Sequence, residues 1–140
     1  MDDEKRLQQI RKSAQMGCFG IDCVMHAAEH PALAQALAQQ KAEYGEIFAQ
    51  ADALLKARGQ RPRDIGAGAK TGSKMMAALR LRTPERDAKI AEMMVQGNTK
   101  GMIKSYRARR QCADDARVRA LSEKLLQTEL HNVEQMKKFL

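Results

Sequence analysis

Few side chains in this 140-residue chain stand at spacings that suit chemistry. Three histidines (His26, His30, His131) and three cysteines (Cys18, Cys23, Cys112) are the first metal ligands and nucleophiles to test. Asp22 and His26 are four apart, the helical spacing at which two side chains share a face and can chelate. Cys23 and His26 are three apart, open to a thiol–imidazole pair but without a pocket to serve. The seam Leu7, Ile10, Ala14, Gly17, Ile21, Val24 and Ala28 turns Asp22 and His26 away from the interior. A solvated i,i+4 pair is therefore expected there, with Glu29 beside it. His131 lies between Gln127, Glu134 and Lys138 on a polar face and reads as exposed. Cys18 and Cys23 lie about 140° apart around a helix, so they cannot easily bridge. No C-x-x-C occurs, which excludes a zinc knuckle and a thioredoxin motif. All three cysteines are expected as reduced thiols packed as small apolar groups in a cytoplasmic protein. The run GAGAKTGSK at 66–74 resembles a phosphate loop, yet Ala69 and Asp64 stand where the pattern needs glycine. It reads instead as a flexible lead-in to a helix, with Gly72 and Ser73 as capping residues.

One carboxylate is different. Glu129 is surrounded on its own helix by Leu125, Leu126, Asn132, Val133 and Met136. A carboxyl on an apolar face must pair, hydrogen-bond or stay protonated. Counting across the tight turns places Glu129 near the level of Asn98, and Tyr44 near Gly17 and Cys18. Tyr44, Gln40 and Asn98 are therefore the expected core polar partners of Glu129. A satisfied buried group is the preferred reading. The alternative is a metal site, with Glu43, Glu46 and Glu92 as flanking carboxylates.

Long helices must position these groups. Ala, Leu, Met, Gln, Glu, Lys and Arg dominate the chain, and these are strong helix formers. Gly and Pro cut it into four long segments: Asp3 to Glu29, Pro31 to Gly59, Thr83-Pro84-Glu85 to Gln111, and an Asp114 or Asp115 cap to Leu140. Pro31 suits a first helical turn, Gly59 a left-handed C-terminal cap, and Thr83 an N-cap. Each segment holds about 26 to 29 residues, roughly 40 Å of helix. Apolar residues recur at 3-4 spacing: Leu33, Leu37, Tyr44, Ile47, Ala51 and Leu54 in the second segment, and Val118, Leu121, Leu125 and Met136 in the fourth. The third is less regular, with Ile90, Met93, Met94 and Met102 crowding one side. A short helix is expected around Ala69 to Leu81, with Met75, Met76 and Leu79 as its apolar side. Gly17, Gly20, Gly97 and Gly101 fall mid-helix, where each costs about 1 kcal/mol against Ala. Backbones must come close there, within the bundle or against a second subunit. The steps Gly17 to Gln39 and Gly101 to Gln127 also hint at an internal repeat, offset by 84 and 88 residues.

The reading is one all-α domain over residues 1–140: a four-helix bundle of two antiparallel hairpins with a long basic crossover, 59–82, between the second and third helices. That connectivity is ferritin-like. The strings MGCFGIDCVM, EYGEIFAQADALLKARG, IAEMMVQGNTKGMI and LLQTELHNVEQMKKFL resemble small uncharacterised bacterial ferritin-like proteins. Di-iron members of that superfamily carry a Glu on each of two helices and E-x-x-H on each of the other two. No E-x-x-H occurs in this chain, so those ligands cannot be carried over.

Composition narrows the function further. The formal net charge is +8. Residues 56–110 carry +11 of it and the remainder −3. Arg58, Arg61, Arg63, Lys70, Lys74, Arg80 and Arg82 form the basic surface of the crossover. Residues 49–105 hold no aromatic side chain, so no stacking platform for single strands exists there. A solvated surface is preferred over binding of nucleic acid or another anion. The opening MDDEKR is charged with no apolar leader after it, and no run approaches a membrane span, so neither secretion nor a membrane is expected. The expectation is a cytoplasmic, non-enzymatic, self-associating homo-oligomer with no cofactor. The alternative keeps iron or manganese in an unconventional carboxylate oxidoreductase or storage site.

Overall fold

The computed structural model describes residues 2–140. The chain is all-α. Five helices follow one another: α1 Asp3–Val24, α2 Pro31–Ala57, α3 Ala67–Arg80, α4 Arg86–Arg109 and α5 Ala116–Lys137, with a 3-10 turn at Met25–Ala27 after α1. Among the described residues no helix is long and apolar enough to cross a membrane.

Local chemistry sets the ends. The Asp2 carboxylate accepts from the Lys5 amide at 2.8 Å and caps α1. His30, next to Pro31, caps α2 through Nδ1, which accepts from the Ala32 amide at 3.0 Å. Asp115 caps α5 by accepting from the Arg117 amide at 2.8 Å. Gly59 closes α2 at φ +69, a conformation that needs glycine. Three expected boundaries move. The first helix stops at Val24 and tightens to 3-10 geometry before Pro31. Thr83 does not cap the third long helix; Glu85 holds that position, with no side-chain bond. Gly72 and Ser73 lie inside α3, which starts at Ala67.

The helices pair as α1 with α2 and α4 with α5, and the pairs meet chiefly through α2–α5, α1–α5 and α1–α4. Leu7, Ile21, Leu33, Leu37, Ile47, Leu55 and Leu126 are fully buried between them. Each such side chain removes apolar surface worth about 1.5–3 kcal/mol. Leu55, rather than the expected Leu54, takes the inward position at the end of α2.

Two carboxylates fix the register. Asp3, at the start of α1, accepts from the amides of Asp114 and Asp115 in the α4–α5 turn at 2.9 and 2.8 Å. Asp87, at the start of α4, accepts from the amides of Glu29 and His30 in the α1–α2 turn at 2.8 and 2.9 Å. The clamps are reciprocal, and Asp3 and Asp87 stand 84 positions apart.

The crossover is held along one face of α1. Gln8 bonds the Arg61 carbonyl and the Arg63 amide at 3.0 and 3.1 Å, and Gln15 accepts from the Ile65 amide at 3.2 Å. Between them Arg11 meets Asp52 and Asp64 at 2.8 and 2.9 Å and lies over the Phe48 ring at 4.4 Å. Only Ala77 of α3 is buried. Met75, Met76 and Leu79, the apolar side of this helix, face outward, 63%, 50% and 58% exposed.

Candidate functional site

A groove of about 730 Å³ lies between α1 and α4, floored by α2 and α5. Glu129 from α5 rises to its base and is 3% exposed. Its Oε1 accepts from the Ser105 hydroxyl of α4 at 2.6 Å. Burial pushes the Glu129 carboxyl up to about 7, against the opposing pull of the Ser105 hydroxyl and the Lys104 charge. Tyr44 of α2 lies beside it and donates to the Asn98 Oδ1, while Asn98 Nδ2 donates to the Met94 carbonyl at 2.8 Å. Burial, then the Glu129 charge, holds the Tyr44 hydroxyl well above the usual phenol range.

Glycines make this floor possible. A Cβ on Gly17 would stand 2.6 Å from the Tyr44 ring, and one on Gly101 would stand 1.8 Å from Glu129 Oε2. Gly20 and Gly97 differ: a Cβ on either meets nothing within 4 Å, and both line the groove. The first pair admits the floor side chains, and the second keeps the groove open. Ile10, Val24, Met93, Met94 and Leu125 supply apolar wall, and Lys12, Lys100, Lys104 and Arg107 line it from α1 and α4.

The expected core polar set is only partly assembled. Tyr44 and Asn98 do meet, but the bonded partner of Glu129 is Ser105, not Tyr44, Asn98 or Gln40. Gln40 turns to Gln135 at 2.8 Å instead. Asn132, whose side chain lies by the Tyr44 hydroxyl, is fully buried. The carboxylates of the metal alternative do not converge. Glu46 pairs with Lys124 at 2.9 Å and Glu92 with Lys89 at 3.1 Å, while Glu43 is half-buried on α2. Among the described residues no three His, Cys, Asp or Glu side chains gather as a metal site would need.

Asp22 and His26 are exposed, as expected, but Asp22 pairs with Lys41 at 2.7 Å and Glu29 with Arg86 at 2.6 Å. His131 is exposed. All three thiols are free; burial raises those of Cys18 and Cys23, whereas Cys112 is exposed rather than packed. Of the basic surface, Arg58 is tied to Asp3 and Asp115 at 3.4 and 3.0 Å. Arg61, Arg63, Lys70, Lys74, Arg80 and Arg82 make no ion pair among the described residues, and Lys74 lies over the Phe19 ring at 5.9 Å.

Sequence reasoning missed Ser105 and Arg6. Ser105 is one turn beyond Gly101, a signal available in the spacing. Arg6 lies one turn before Ile10 and lines the same groove, 3% exposed. Comparison with protein-family models, with curated proteins and with solved structures finds no match for the chain.

Proposed function

We propose that the chain is a four-helix bundle of ferritin-like connectivity that acts as a non-enzymatic binding protein, with the α1–α4 groove as its ligand site. The two helix pairs joined through the crossover that carries α3 support the connectivity. So does Glu129, which with Asn132 keeps the three-residue spacing of E-x-x-H with Asn in the histidine's place. The donor set does not fit a di-metal pair. One carboxylate, already bonded to Ser105, belongs to no group of three His, Cys, Asp or Glu side chains among the described residues. Iron and manganese therefore have no part in this reading. Nor does Ser105 read as a nucleophile. It sits mid-helix, where the neighbouring backbone amides are spent on α4 and none is free to hold an oxyanion.

The observation that carries the binding reading is a protonatable carboxyl at the base of an open, largely apolar groove kept clear by Gly20 and Gly97. Ligand sites combine an apolar lining with a few placed polar groups. The test is a neutral apolar dye, Nile red, titrated against the wild-type chain and Gly97→Leu. The leucine enters open space, so the fold should persist by circular dichroism. Saturable dye binding should weaken by at least about tenfold, some 1.4 kcal/mol. Equal binding by both proteins would remove the groove as the site.

A second reading, self-association, is favoured by α3. Met75, Met76 and Leu79 fall on one arc of about 100° that faces away from α1. A second copy laid on that arc would cover three large apolar side chains.

A further inference from the structure

We propose that the α1–α4 groove selects an elongated amphipathic carboxylate, its head held at the Arg6 end and its apolar chain running past Gly17 and Gly20 toward Met93 and Met94. This rests on the groove being a ligand site and adds the class of ligand.

Arg6 is the first reason. Its guanidinium is nearly fully buried in the groove wall, with no carboxylate in ion-pair reach among the described residues. Nη2 donates to the Ala108 and Gln111 carbonyls at the end of α4, so the side chain closes that helix. Nε has no partner, and among the described residues only the C-terminal carbonyls of α4 offset the charge. A buried cation without a counter-ion is costly. A carboxylate, like a phosphate, suits a guanidinium in shape and hydrogen bonding, and its single charge costs less to bring into a largely apolar groove. Four further cations line the groove, Lys12, Lys100, Lys104 and Arg107, and none of them is ion-paired among the described residues.

Polarity along the groove is the second reason. The Arg6 bonds to the end of α4 and the Asp87 bonds to the end of the α1 hairpin set the two helices antiparallel. Arg6 therefore marks one end, beside Lys104 and Arg107. Val24, Met93 and Met94 mark the other. From Arg6 to Val24 the groove wall runs 18 residue steps along α1, and at 1.5 Å per step that is about 27 Å. Among the described residues Glu129 is the only acid lining it, and it lies at its middle. In its protonated form Glu129 donates a hydrogen bond and does not repel an apolar chain.

The test is displacement of Nile red at pH 6 by decanoate, 1-decanol and decyltrimethylammonium, each below its aggregation concentration. Decanoate should displace at a midpoint at least about tenfold below that of decanol, with the ammonium weakest. Arg6→Gln should bring decanoate and decanol within about twofold of each other. Because Arg6 also closes α4, the exposed double variant Lys104→Gln/Arg107→Gln provides a second test. It should cut the preference for decanoate severalfold with no change in melting temperature. If decanol and decanoate displace equally from wild type, and Gly97→Leu abolishes both, the groove stands and the carboxylate selection is wrong. If none of the three displaces dye, or Gly97→Leu changes nothing, groove and selection fall together.

Discussion

Glu129 is the residue on which the chemistry of the interior turns. Its carboxyl, pushed up to about 7 by burial, binds its proton more tightly in the folded chain than in the unfolded one. Between its ordinary value near 4.5 and about 7 the native state therefore holds a proton that the unfolded state has released. Stability must fall as pH rises through that window and level off above it. Of the groups that reach the carboxyl, Lys104 from α4 is charged and opposes the effect, and Tyr44 from α2 stays neutral throughout. A shift of this size corresponds to roughly 3 kcal/mol at most. Glu129→Gln should flatten urea-measured stability between pH 5 and 8 to within about 1 kcal/mol of slope and match or exceed wild type at pH 8.

The glycines make a paired prediction at the same scale. Gly20→Ala and Gly97→Ala enter open space and should each stabilise by about 0.5–1 kcal/mol through helix propensity alone. Gly17→Ala drives a methyl into the Tyr44 ring and should cost about 1–3 kcal/mol, measured by the same urea unfolding. Glu129 was legible in the sequence because an acid amid leucines breaks the pattern. Arg6 was not, since an arginine on a helix face looks solvated until the facing helix is placed, and Ser105 was marked only by standing one turn beyond Gly101.

At the scale of elements, the helices and their turns were readable from periodicity, proline and glycine, and the register between them was not. That register rests on Asp3 and Asp87, each accepting two amides from a turn it is remote from in sequence. An acid in a first helical turn is expected for the dipole alone, so nothing in the sequence marks these two as clamps. Their offset of 84 residues matches that of Gly17 and Gly101, while Tyr44 and Glu129 are 85 apart. The 88-residue step expected for the second half of the repeat is not the one the contacts follow. Asp87→Ala should lower the melting temperature and speed amide exchange at Glu29 and His30. Protection at Asp114 and Asp115, held by Asp3, should be retained. Uniform loss of protection at both turns would mean that the clamps are not separate.

For the whole molecule, the charge lies mainly on one region, and α3 sits within it. Composition gives the +8, but only the placed helices separate Arg58, tied to Asp3 and Asp115, from the cations left free. The outward turn of Met75, Met76 and Leu79 was likewise invisible, because a 3-4 apolar stripe does not say whether it meets the bundle or leaves it. Lys70 and Lys74 lie roughly 150° or more from the centre of that stripe around the helix. Pairing two copies of α3 would therefore bury the apolar arcs without bringing those lysines together. Repulsion between two chains of charge +8 would remain, and salt screens it. Association through α3 should strengthen between about 50 and 500 mM salt, as read by sedimentation equilibrium. Leu79→Lys should leave a monomer at both concentrations with unchanged helix content. Binding of the same region to a nucleic acid would weaken steeply over that range. The sign of the salt dependence therefore separates a surface that meets its own copy from one that meets a polyanion.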